Sequence, residues 1–184
     1  MTSKFLRDGT RPALDEVLKN RENRSRFQKA LAVKNPGKTV IAFKLNIPGP
    51  VKKNEAIMKI FRIGLTDLKE ILQNETISVL YEKIVDLSTG PEAYLVADER
   101  ILKVKRLMLS LENESILGRL YDLDVFSFEG EDIITLSRTD LGQEERQCLI
   151  CNKPAKECGR NRTHSVEAMH MQIAKLVSKE TRYE

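Results

Sequence analysis

The chain has 184 residues, of which 41% are hydrophobic, 32% charged and 5% aromatic, with no Trp; this excludes disordered, collagen-like and coiled-coil classes and predicts one soluble domain with an aliphatic core. No apolar run nears the ~18 residues of a membrane span, and the opening MTSKFLRDGTRPALDEVL lacks the apolar stretch of a secretory signal, so a cytoplasmic protein away from membranes is expected. The formal charge of +4 is uneven, with +6 over residues 1–38, −4 over 39–137 and +2 over 138–184, a pattern that draws a polyanion to the ends and a cation to the middle.

Residues 12–33 predict a helix that starts near Thr10 or Arg11 with Pro12 in its first turn. Leu14, Val17, Leu18, Phe27, Ala30 and Leu31 fall at helical spacings, and Arg21, Arg24 and Arg26 are assigned to the other face. Asn35-Pro36-Gly37-Lys38 breaks it, and the β-branched run 39–47 predicts a strand closed by Pro48-Gly49-Pro50. An amphipathic helix is expected over 54–73, then two strands over 76–87 and 92–97 joined through Ser88-Thr89-Gly90-Pro91. A helix over 99–112 follows, with Ile101, Leu102, Met108, Leu109 and the Lys105 stem turned inward, and strand character returns over 116–128 and 133–136.

This order is strand, helix, strand, strand, helix, strand. It predicts a single α+β domain over 1–184 whose core, about 39–136, is a sheet with its helices on one face, in a ferredoxin-like or nucleotidyltransferase-like arrangement. The N-terminal helix precedes that core. A polar, Arg- and Cys-rich loop over 137–163 and a C-terminal helix over 165–180 complete the chain.

Three constellations carry chemistry. In Gly118-Arg119-Leu120-Tyr121-Asp122-Leu123-Asp124-Val125, strand alternation puts Asp122 and Asp124 side by side on one face. Paired oxygen ligands suit Mg²⁺ beside a substrate phosphate, although the same pair serves equally as solvent-facing charge. Cys148-x2-Cys151-x6-Cys158-x5-His164 puts three Cys and one His in a seventeen-residue stretch. That set suits a structural Zn²⁺, with partly buried thiols as the plain alternative, and the odd Cys count argues against a disulfide framework. Arg138, Arg146, Arg160 and Arg162 lie around the cysteines, and arginine forks grip phosphates. The few aromatic rings count against single-stranded nucleic acid as a ligand.

Several segments together are similar to one family. Leu45-Asn46-Ile47-Pro48-Gly49-Pro50-Val51-Lys52, Thr89-Gly90-Pro91-Glu92-Ala93, Gly118 through Val125, Ser137-Arg138-Thr139-Asp140-Leu141-Gly142 and Arg146-Gln147-Cys148-Leu149-Ile150-Cys151, with Cys158 and His164, resemble the citrate lyase holo-acyl carrier protein synthases. The resemblance implies a nucleotidyltransferase that joins triphosphoribosyl-dephospho-CoA to a serine of the apo acyl carrier (gamma) subunit of citrate lyase and releases pyrophosphate. It assigns catalysis and Mg²⁺ binding to Asp122 and Asp124, and donor binding to Arg21, Arg24, Arg119, Arg138 and Arg146. Asp132 and Asp140 are candidates for a third carboxylate. The alternative from another class is a non-catalytic zinc-knuckle module that binds nucleic acid or protein.

Overall fold

A computed structural model describes residues 6–183; residues 1–5 and 184, the ends of the expected domain, lie outside the described residues. The element order is α1 (Leu14–Lys34), β1 (Thr39–Leu45), α2 (Glu55–Asn74), β2 (Val79–Leu87), β3 (Gly90–Ala97), α3 (Ile101–Glu114), β4 (Tyr121–Glu129), β5 (Asp132–Thr135), α4 (Ala155–Asn161) and α5 (Val166–Val177). The strands form one open sheet in the order β2-β3-β1-β4-β5, with every neighbouring pair antiparallel. The predicted α+β single domain is therefore what the chain forms.

Helix ends follow local chemistry. The Glu16 carboxylate accepts the Ala13 N–H at the start of α1, Asn54 accepts the Ile57 N–H at 2.8 Å ahead of α2, and Ser165 accepts the Ala168 N–H ahead of α5, each satisfying an otherwise orphaned donor. α2 and α3 turn their buried stripes, among them Ile60, Leu68, Val104 and Met108, onto Ile41, Phe43, Leu95, Leu123 and Val125 of the sheet, and α5 adds Ile173 and Val177.

The two helices of the expected core thus share one face, and α1, which precedes that core, covers the opposite face. Leu31 and Ala32 of α1, with Phe27, pack on Val40, Ala42, Tyr94 and Val96. A strand buried on both faces reads as a continuous apolar run, and β1 and β3 have that character. The apolar stripe expected along α1 holds only in its C-terminal half, since Leu14, Val17 and Leu18 are exposed. Leu102, expected inside, is 46% exposed.

At the centre of the larger core, Phe43 stacks on Phe61 with ring centroids 5.0 Å apart and meets Tyr121 edge-on at 5.4 Å. Gly64 of α2 lets these rings approach the helix, because a Cβ there would lie 2.6 Å from Phe43 and 2.7 Å from Tyr121. Gly64→Ala is expected to cost about 1–3 kcal/mol through overpacking, read as a lower urea midpoint. The Tyr121 hydroxyl donates to Asp67 at 2.8 Å, and burial followed by that bond holds the phenol protonated. Asp67 also receives Arg182, which ties the end of the described chain to α2.

Candidate functional site

β5 pairs only with residues 126–129 of β4, so the first half of β4 has an open outer edge. Side chains occupy that edge in place of a strand. Arg146 donates to the Tyr121 carbonyl at 2.9 Å, the Leu123 N–H donates to Glu112 at 3.3 Å, and Lys105 reaches the Leu123 carbonyl. Glu112, only 6% exposed, lies between Arg138 at 2.9 Å and Arg146 at 2.6 Å. Its single charge answers two guanidinium groups, which leaves the group positive.

These residues line a cleft of about 710 Å³ together with Asp122, Asp124, Ser137 and Thr139. The two Asp and two of the five expected donor-binding arginines, Arg138 and Arg146, thus share one cleft. A roomier hollow of about 1170 Å³, lined by Asp8, Lys53, Lys59, Arg62 and Arg182 among others, contains neither the Asp pair nor this cluster. Arg119 stands just behind the cleft and donates to the Gln147 carbonyl. Burial, then Arg146 and Arg138, lowers its pKa from the usual guanidinium value, the electrostatic mark of three cations held close together.

Asp122 and Asp124 project to the α1 side of the sheet, as alternation requires. Register sets Lys44 opposite both Glu92 on β3 and Asp122 on β4, and Lys44 pairs with Asp122. Burial, then Arg24, pulls the Lys44 pKa below the usual lysine value against the opposing fields of Asp124 and Glu92. Glu92 is 4% exposed. It accepts Arg24 and Asn20, both at 2.8 Å, and the Tyr94 hydroxyl, so both of its oxygens are engaged. It thereby fixes Arg24 near Asp124; Arg24, Lys44, Tyr94 and Asp124 border one depression on this face.

The remaining sequence candidates lie apart. Arg21 is exposed and does not line the cleft, nor does Arg24, which is half-buried against Glu92. Arg26 and the C-terminal pair Arg160 and Arg162 are also exposed. Asp132 opens β5 opposite Glu129. Asp140 accepts the Ser137 N–H and hydroxyl, both at 2.7 Å, and so shapes the cleft wall as a turn residue instead of joining the Asp pair. Sequence reasoning missed Lys44, Glu92 and Glu112. The one available signal was Glu92, a carboxylate inside the otherwise apolar strand GPEAYLVA.

Residues 137–163, expected to be loop throughout, contain a turn of 3-10 helix at Thr139–Leu141 and the short helix α4. Cys148, Cys151, Cys158 and His164 converge there with their ligand atoms all within 4.8 Å of one another. The sulfurs of Cys151 and Cys158 are 3.6 Å apart, His164 Nε2 is 3.3 Å from the Cys151 sulfur, and all three thiols are free.

Among proteins of known family, the family described as apo-citrate lyase phosphoribosyl-dephospho-CoA transferase matches residues 12–180. A relative named probable apo-citrate lyase phosphoribosyl-dephospho-CoA transferase from Streptococcus pyogenes serotype M3 is 37% identical over 164 residues, covering 89% of this chain and 84% of the relative. The protein of the same name from Vibrio cholerae serotype O1 is 33% identical, covering 89% and 90%. Protein CitXG of Leuconostoc mesenteroides subsp. cremoris is 35% identical over 94% of this chain but 36% of its own length, so the chain spans about a third of that longer protein.

Proposed function

Because the chain belongs to the apo-citrate lyase phosphoribosyl-dephospho-CoA transferase family, we propose that it transfers the phosphoribosyl-dephospho-CoA group from triphosphoribosyl-dephospho-CoA to a serine of the apo acyl carrier subunit of citrate lyase. The serine oxygen forms a new bond to phosphorus, the bond to the departing pyrophosphate breaks, the serine proton is released, and the product is a phosphodiester. One observation carries this function: a single cleft holds an acidic pair and a net-positive arginine pair, the two charge types that displacement at a polyphosphate requires.

Arg138 and Arg146 are suited to the pyrophosphate end of the donor, where a planar fork meets two phosphate oxygens. Arg24 and Lys44 add positive charge on the neighbouring face. Asp122 and Asp124 fit Mg²⁺ as hard oxygen ligands on one strand face beside an open cleft with room for phosphate oxygens and water. When bound, Mg²⁺ offsets charge at the reacting phosphate. The nucleophile belongs to the carrier, so the cleft needs no Ser or Cys with its own base. No helix among the described residues is long and apolar enough to cross a membrane, and the family match does not favour the rival zinc-knuckle binding module.

The test is the intact mass of the apo carrier after incubation with this protein, triphosphoribosyl-dephospho-CoA and Mg²⁺. The carrier is expected to gain the mass of one prosthetic group, with release of one pyrophosphate. A carrier that stays at its apo mass while the protein is folded would overturn the assignment.

A further inference from the structure

The transferase chemistry leaves the Cys–His cluster unused. We propose that Cys148, Cys151, Cys158 and His164 bind one structural Zn²⁺ that fixes the segment behind the cleft arginines. Tetrahedral zinc with bonds of roughly 2.3 Å to sulfur and 2.0–2.1 Å to nitrogen sets ligand atoms about 3.5–3.8 Å apart. The Cys151–Cys158 distance of 3.6 Å and the His164–Cys151 distance of 3.3 Å already approach those values. Four protein ligands close the coordination shell and leave no position for substrate, which is the mark of a structural site rather than a catalytic one.

The backbone supports the same conclusion. Cys148 N–H donates to the Lys153 carbonyl at 2.8 Å, which closes the turn that carries the first two cysteines, and the Ile150 N–H points at the Cys148 sulfur at 3.4 Å, a geometry that stabilises a thiolate ligand. Cys158 is the one buried residue of the seven in α4. So short a helix has little stability of its own, and among the described residues none of α4 joins either hydrophobic cluster, so a metal supplies what packing does not.

The knuckle is continuous with the cleft. The Ala155 N–H donates to the Arg146 carbonyl at 2.8 Å, Gln147 bridges Pro154, and Arg119 donates to the Gln147 carbonyl. Zinc therefore anchors the backbone from which Arg146 reaches Glu112. This site does not depend on the transferase assignment, and its test does not use transfer activity.

The full-length protein, purified without chelator, is expected to contain about one zinc per chain by elemental analysis. Titration with a mercurial thiol reagent should release that zinc in step with modification of three thiols. Cys158→Ser and His164→Ala should lose the metal, while His164→Cys, which keeps four ligands, should retain it. Chelation should open residues 147–163 to limited proteolysis. Folded wild-type protein that lacks zinc and takes up none when titrated with Zn²⁺ overturns the site even if the Cys variants fail to fold. Zinc retained by folded Cys158→Ser and His164→Ala variants overturns it as well.

Discussion

Asp124→Asn is expected to lower transfer to the carrier by about a thousandfold, equivalent to roughly 4 kcal/mol of lost transition-state stabilisation, with no measurable change in thermal midpoint. The expectation rests on how little holds this side chain. The Asp124 side chain is exposed, and among the described residues no side-chain hydrogen bond or ion pair engages it, so removing its charge costs the fold only its field on Lys44 and Lys105, which solvent screens. Asp122→Asn should be equally damaging to transfer but should also lose the half-exposed ion pair with Lys44, worth about 0–1 kcal/mol. Initial rates of carrier modification, measured beside thermal unfolding, separate these terms. Two Asn variants that transfer at the parent rate would show the pair to be surface charge and nothing more.

The second large effect is expected at Glu112, where the cost falls on the fold and the site together. Glu112→Gln keeps the shape but removes the charge that faces Arg138 and Arg146. Removing one member of a buried ion-pair group strands the others, at about 3 kcal/mol once their partial exposure is allowed for. Urea unfolding should show this loss as a lower midpoint with an unchanged slope. The freed arginines no longer have a common anchor, so KM for the donor should rise at least about tenfold, equivalent to about 1.4 kcal/mol of binding, with a smaller change in kcat. A loss of kcat alone would instead place Glu112 at the reacting phosphorus.

Much of this arrangement is legible in the sequence wherever the governing rule is local. Period-two and period-3.6 patterns locate the strands and the four longer helices to within about three residues, except that β4, expected from 116, begins at Tyr121 after a turn of 3-10 helix at Gly118–Leu120. Alternation by itself puts Asp122 and Asp124 on one face. What escapes is whatever depends on partners distant in sequence. Glu112 matters because α3 delivers it to the open edge of β4, and Lys44 matters because antiparallel register sets it between Glu92 and Asp122; neither relation has a local signature. α4 escapes for a different reason: its seven residues, with one buried Cys among them, show no apolar period. The exposure of Leu14, Val17 and Leu18 also depends on tertiary context, since α1 packs on the sheet through Phe27, Leu31 and Ala32 while its first half is tied through Asn20 to Thr89 and Glu92 on the β2–β3 side.

The side chains along β4 also bear on the solubility of the protein. An unpaired strand edge invites a second chain to add to the sheet, and β5 covers only the last four residues of β4. Arg146, Lys105 and Glu112 occupy the backbone groups that such an intruder would use, so the charges proposed to meet the donor also block that edge. Variants that empty the cleft of these groups are therefore expected to aggregate on concentration even where the monomer remains folded, a liability that Asp124→Asn, which leaves that edge covered, does not share.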